Sequence, residues 1–189
     1  MMKLLLTSAG FENQAVAEAF TGMLSKPASV SRVLFIPTAA QTGEALSYVE
    51  KSRKELLKAG IDRNNIHIYD LDRRMDGAEL MKYDVVYVCG GNTRHLLRRV
   101  KRSGFDKILN SFGGVYVGAS AGSLIMAAHI DPYLRNARTK GLRFINCWLR
   151  VHCQEGSQEG KIETSGCPVI SLTDRQALVA EDGEVTLIQ

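Results

Sequence analysis

Near-continuous apolar runs of five or six residues, separated by stretches of helical period, constrain the fold of this chain more than any other feature. Arg32-Val-Leu-Phe-Ile36 and Asp84-Val-Val-Tyr-Val-Cys89 alternate no polar face with their apolar one. A strand built from either must be covered on both sides, which is the situation of a parallel strand inside an α/β sheet. Lys3 to Thr7 and the run beginning at Gly113 are of the same kind. Between them, Asn13 to Leu24 repeats apolar residues at helical spacing, and Leu46 to Ala59 is amphipathic, with Gly60 placed to end it. Asn65 to Leu71 reads as a further strand, Asp76 to Lys82 as a short helix, and Thr93 to Lys101 as a longer one.

After about residue 129 the pattern changes. Phe144 to Val151 alternates weakly and ends at His152, and Glu155 to Gly160 is a loop. Pro168 to Leu172, Gln176 to Ala180 and Glu184 to Ile188 read as short strands, the last two joined by a hairpin turn at Glu181-Asp-Gly183. The prediction is one α/β domain over residues 1–189: a doubly wound, mostly parallel sheet that finishes in a C-terminal hairpin. In such a sheet the ligand site belongs at the carboxyl ends of the strands.

One of those ends carries Gly118-Ala-Ser-Ala-Gly122. Gly-x-Ser-x-Gly after an apolar strand is the pattern of a nucleophile elbow, where a serine sits on a strained strand-to-helix turn and its neighbours must be small. Small residues between a strand and a helix are also ordinary in α/β proteins. A second glycine turn, Gly90-Gly91-Asn92-Thr93, follows the Asp84 to Cys89 strand, and two such turns at the same sheet edge point to one site. Ser123 to Ala128 are good helix formers, so the helix after Ser120 is expected to run on through them.

Composition excludes several function classes. At 189 residues and 45% hydrophobic content the chain makes one sizeable core, not two domains. The net charge of +4 is scattered. Its densest basic group, Arg94, Arg98, Arg99, Lys101 and Arg102, has no interleaved aromatics, so a solvated helix face is expected there and no nucleic-acid partner. No apolar run approaches membrane-spanning length and the first residues lack a signal-peptide pattern, so a cytoplasmic protein, monomer or homodimer, is expected. Cys89, Cys147, Cys153 and Cys167 show no C-x-x-C spacing. With His152 they match no common zinc site, so reduced thiols and no metal or other cofactor are expected.

A serine nucleophile needs a base. His67 lies in a strand and His95 within a helix, while His129 falls at the far end of the helix expected after Ser120. His152, at a strand end before a glycine-bearing loop, is the preferred base. The only acidic residue between Ser120 and His152 is Asp131. It can complete a triad or serve the turn before Pro132. In the second case water, a backbone carbonyl or another carboxylate such as Glu155 or Asp174 would support His152. The backbone N–H groups of Gly91 and Ala121 are the expected oxyanion donors. Asn92 and Thr93 are candidate substrate contacts, Asn92 alternatively holding its own turn.

Taken together, Gly90-Gly-Asn-Thr93 with Leu96-Leu97, the Gly118 to Gly122 elbow, and Gly141-Leu142 leading to His152 resemble the peptidase E family, aspartyl dipeptidases with cyanophycinase as a relative. Leu172-Thr-Asp-Arg-Gln-Ala-Leu178 with Asp182-Gly183 is similar to that family's terminal strands. The resemblance implies a flavodoxin-like sheet akin to class I glutamine amidotransferases, with serine in place of the nucleophilic cysteine. By position it implies Ser120 as nucleophile, His152 as base, Gly91 and Ala121 as oxyanion donors, and Asp131 as the acid, whose place varies among members. It also implies hydrolysis of small peptides, dipeptides with N-terminal aspartate among them. The chain departs from the family after His152, where Gln154 to Lys161 stands in place of a longer loop and helix that helps recognise the substrate's aspartate. Another serine amidase, or a catalytically weakened member that binds a small acidic ligand, are the alternative readings.

Overall fold

The computed structural model describes residues 2–130, 140–154 and 167–189. In chain order the elements are β1 (Lys3–Thr7), α1 (Gln14–Met23), β2 (Val33–Ile36), α2 (Gly43–Lys58), β3 (Ile66–Ile68), α3 (Gly77–Leu80), β4 (Val85–Val88), α4 (Thr93–Ser103), α5 (Phe105–Leu109) and β5 (Val115–Ala119). They continue with α6 (Ala121–Leu124), β6 (Ala127–Ile130), β7 (Ile145–Arg150), β8 (Val169–Ser171), β9 (Ala177–Glu181) and β10 (Glu184–Ile188).

The main sheet has the order β10-β9-β1-β5-β4-β2-β3. From β1 to β3 all pairings are parallel, while β9 and β10 add an antiparallel edge. Alternation along the buried strands divides the core into two layers. Leu5, Phe35, Tyr87 and Val117 pack with Val16 and Phe20 of α1 and Leu56 of α2. Leu6, Leu34, Val86 and Tyr116 pack with Leu96 and Val100 of α4 and with Phe105. Helices therefore cover both faces, as a sheet of near-continuous apolar strands requires. The basic residues of α4 lie on its outer side, Arg94, Arg98, Lys101 and Arg102 all being exposed. The terminal hairpin turns through Asp182 and Gly183, both with positive φ (50° and 87°), the backbone that a tight hairpin turn demands.

Two expectations are corrected. The helix after Ser120 is a single turn, and Ala127–Ile130 is a strand, β6, in a second parallel sheet of order β6-β7-β8. Helix propensity loses here because other partners take the carbonyls. Leu142, Arg143 and Phe144 donate their N–H groups to the carbonyls of Ile125, Ala127 and Met126, drawing this stretch into cross-chain pairing instead of a helix. His129 therefore belongs to a sheet, its ring stacked on Trp148 with centroids 4.5 Å apart. The third strand is also shorter than Asn65 to Leu71, because Asp70 bends the chain by accepting from the Asp72 N–H.

Candidate active site

The carboxyl ends of β1 and β5 lie side by side, Thr7 opposite Ala119. The N–H of Ser120 donates to the Thr7 carbonyl at 3.0 Å, and the Ser123 hydroxyl bonds the carbonyls of Thr7 and Gly118, each at 2.7 Å. These contacts hold Ser120 at φ 47° and ψ −105°, a backbone that costs a non-glycine residue on the order of 1–3 kcal/mol and persists only where its surroundings fix it. The glycines of the elbow are required by close approach. A Cβ on Gly122 would stand 2.2 Å from the Val88 carbonyl oxygen, and one on Gly118 would stand 2.6 Å from the Gly122 carbonyl carbon.

His152 follows β7, and Asp174 lies between β8 and β9. Arg150 pairs with Ser171 in the β7–β8 ladder, and Cys153 donates its N–H to Leu172, so the two strand ends emerge together. The result is a hydrogen-bonded chain: Ser120 Oγ lies 2.9 Å from His152 Nε2, and His152 Nδ1 lies 2.7 Å from Asp174 Oδ1. An ionised carboxylate only accepts, so Nδ1 carries a proton toward Asp174, which leaves Nε2 as the acceptor for the serine hydroxyl in the neutral ring. Burial alone would raise the Asp174 pKa, but hydrogen bonds from Ser8 and His152, with the charges of His152 and Lys51, hold it below the ordinary carboxylate value.

In front of this chain opens a cavity of about 430 Å³, bounded by Ser120, His152, Gly90 and Gly91 on one side and by Tyr48 and Lys51 of α2 on another. Lys51 pairs with Glu12 and more distantly, at 3.9 Å, with Glu55. Among the described residues no group of three or more His, Cys, Asp or Glu side chains could hold a metal ion, and no helix is long and apolar enough to cross a membrane.

The model of peptidase family S51 matches residues 4–188. The chain belongs to peptidase family S51. It is 39% identical over 101 residues to an uncharacterized peptidase of Listeria innocua, covering 52% of this chain and 48% of that relative. It is 30% identical over 132 residues to peptidase E of a Nostoc species, covering 66% of this chain and 53% of the relative. The chain thus spans about half the length of the curated relatives it matches. A crystal structure of a candidate peptidase E from Listeria monocytogenes superposes with a TM-score of 0.75 at 26% identity, over 100% of this chain and 98% of that one.

Against this S51 framework the expected site residues separate. Ser120 and His152 meet. Among the described residues the acid bonded to His152 is Asp174; Asp131 and Glu155 lie outside the described residues. Gly91 lines the cavity with φ 135°, and a side chain there is excluded by the Ala39 carbonyl oxygen, 2.2 Å from an added Cβ. Ala121 opens the single-turn helix α6, so its N–H is among the donors that have no acceptor within the helix. Asn92 is committed to capping α4, its Oδ1 accepting from the His95 N–H at 2.9 Å, and neither it nor Thr93 lines the cavity. His67 packs edge-on against Tyr83, and His95 contacts Gln41 on the surface.

Sequence reasoning missed Ser8 altogether and held Asp174 only as an alternative. The available signal was positional. Ser8 begins the small-residue turn after β1, and Asp174 sits in the polar turn between β8 and β9, the strand that pairs with β1.

Proposed function

We propose that this chain is a serine-type peptidase of small peptides, with Ser120 as nucleophile, His152 as general base and acid, and Asp174 as the orienting carboxylate. The observation that carries the reading is the continuous chain from Ser120 Oγ through both imidazole nitrogens to Asp174, with steps of 2.9 and 2.7 Å. His152 Nε2 accepts the serine proton as Oγ adds to the substrate carbonyl. The N–H groups of Gly91 and Ala121 are the donors for the resulting oxyanion. The imidazolium returns its proton to the departing amine, and a water then repeats the sequence on the acyl-enzyme. Asp174 stabilises the imidazolium without accepting its proton, in keeping with a carboxyl held ionised.

The cavity of about 430 Å³ is near the lower end of the usual range for small-ligand sites, roughly 300–1,000 Å³, and suits a peptide of a few residues better than a protein chain. Relatives named peptidase E support the peptidase reading; the finer reading, cleavage of dipeptides with an N-terminal aspartate, is what the resemblance in the sequence implies. A panel of dipeptides differing in the N-terminal residue, with products read by mass spectrometry, tests it. Ser120→Ala is expected to abolish every cleavage while leaving the melting temperature near that of the wild type. Hydrolysis that survives in Ser120→Ala, or fluorophosphonate labelling at another residue, overturns the reading.

A further inference from the structure

Behind the Ser120–His152–Asp174 chain stands one hydroxyl, that of Ser8, the first residue after β1 and fully buried (0% exposed). It donates to Asp174 Oδ1 at 2.8 Å and accepts from the backbone N–H of His152 at 2.8 Å, and its oxygen lies 3.4 Å from His152 Nδ1. A hydroxyl has a single proton. Here that proton is directed at a carboxylate, which can only accept, while a lone pair receives the main chain of the histidine. One oxygen therefore ties together the acid and the backbone of the base.

The backbone it holds needs holding. His152 has φ 58°, in the left-handed region that a non-glycine residue keeps only under constraint from its surroundings. The His152 side chain is itself about half exposed (53%), and that of Asp174 is 56% exposed, so packing alone does little to fix either. The Ser8 hydroxyl also favours the ionised carboxylate, since it is the foremost of the interactions that lower the Asp174 pKa against burial.

We propose that Ser8 is a positioning residue of the reaction: it sets the pose of His152 through the main chain and holds Asp174 aimed at Nδ1. The proposal rests on the reading of Ser120 and His152 as nucleophile and base. Without the hydroxyl, Asp174 loses a charge-stabilising donor and titrates at higher pH. The His152 backbone is released from its left-handed pose, and Nε2 is no longer fixed against Ser120. Ser8 also borders the cavity, but its hydroxyl is turned to Asp174 and the His152 main chain, so half-saturation is expected to move less than the maximal rate.

The test compares Ser8→Ala, Ser8→Cys and Ser120→Ala in the full chain. The probe is a serine-directed fluorophosphonate, with its maximal labelling rate and its half-saturating concentration measured separately, alongside a ¹³C NMR titration of the Asp174 carboxylate. In Ser8→Ala the maximal rate is expected to fall by about tenfold or more, part of what a well-placed general base contributes, with the half-saturating concentration within about threefold. The Asp174 midpoint moves upward. Ser8→Cys fills the same space with a weak donor and falls between the two, so it carries the test should Ser8→Ala fail to fold. Wild-type labelling in both Ser8 variants, or an unmoved Asp174 midpoint accompanied only by a lower melting temperature, overturns the role of Ser8. Labelling that persists in Ser120→Ala instead overturns the nucleophile assignment, and the role of Ser8 with it.

Discussion

Thr7 and Ala177 face each other across the antiparallel ladder of β1 and β9, and this register carries Asp174, just upstream of Ala177, past the end of β1 to the Ser8 hydroxyl. On its other side the same strand end holds Ser120, Thr7 pairing with Ala119 and accepting the Ser120 N–H. β1 is thus the element against which the proposed acid and nucleophile are both registered, and the β7–β8 sheet delivers His152 between them.

Asp174→Asn retains the shape of the acid but changes what it presents to Nδ1. An amide that turns its N–H₂ toward the ring favours the tautomer with the proton on Nε2, which cannot accept from Ser120. The expected loss in turnover is on the order of 10⁴, the precedent for this substitution in a serine triad. Asp131→Asn is expected to leave turnover within about threefold, as for a residue serving a turn before proline. Steady-state kinetics on the two variants decide between the carboxylates, and the reverse result would return the role to Asp131.

The Asp174 carboxyl also fixes a pH dependence of stability. Its folded pKa is lowered, so its contribution is fully present above the unfolded value, about 3.9, and is lost as pH falls through the lower folded value. The difference in melting temperature between wild type and Asp174→Asn is therefore expected to stay constant from pH 7 to pH 5 and to shrink on further acidification below about pH 4. A difference that grows with acidification would contradict the assignment.

Glu55 behaves in the opposite sense. Burial raises its pKa despite the Phe11 N–H it accepts and the nearby charges of Lys51 and Lys58. A raised folded pKa gives stability that is present below the unfolded value and lost as pH rises through the folded one. Glu55→Gln keeps an acceptor for Phe11 and removes the ionisation. Its melting temperature relative to wild type is expected to rise between pH 3 and pH 7, as thermal melts across that interval would show.

Gly122→Ala places a methyl group 2.2 Å from the Val88 carbonyl oxygen. Backbone cannot yield as a flexible side chain would, so β4 and the elbow must separate, at about 1–3 kcal/mol as for other overpacked sites. Denaturant unfolding is expected to show that loss, and hydrolysis to fall with it because Ser120 shares the displaced turn. Wild-type stability would show that the turn has more room than its geometry indicates.

Much of this was legible in the sequence. The apolar runs around Val33, Val85 and Val115 pointed to doubly covered parallel strands, and the small residues around Ser120, with a second glycine turn at Gly90, pointed to a tight turn at the sheet edge. His152 was reachable as the histidine at a strand end. These are local features, set by period, residue size and the chain's alternation of strands and helices.

What the sequence by itself determined, then, was the doubly covered parallel sheet and the tight turn at Ser120, because each depends on residues adjacent along the chain. Tertiary structure alone decided that the chain after α6 turns into β6, since the N–H groups of Leu142 to Phe144 engage the carbonyls of Ile125, Met126 and Ala127. It also decided that Asp174 and Ser8 stand at His152, for the partners meet only through the registers of β1 with β9 and of β7 with β8. A ladder register is settled by the burial of whole strands against each other, and no single stretch of sequence records it.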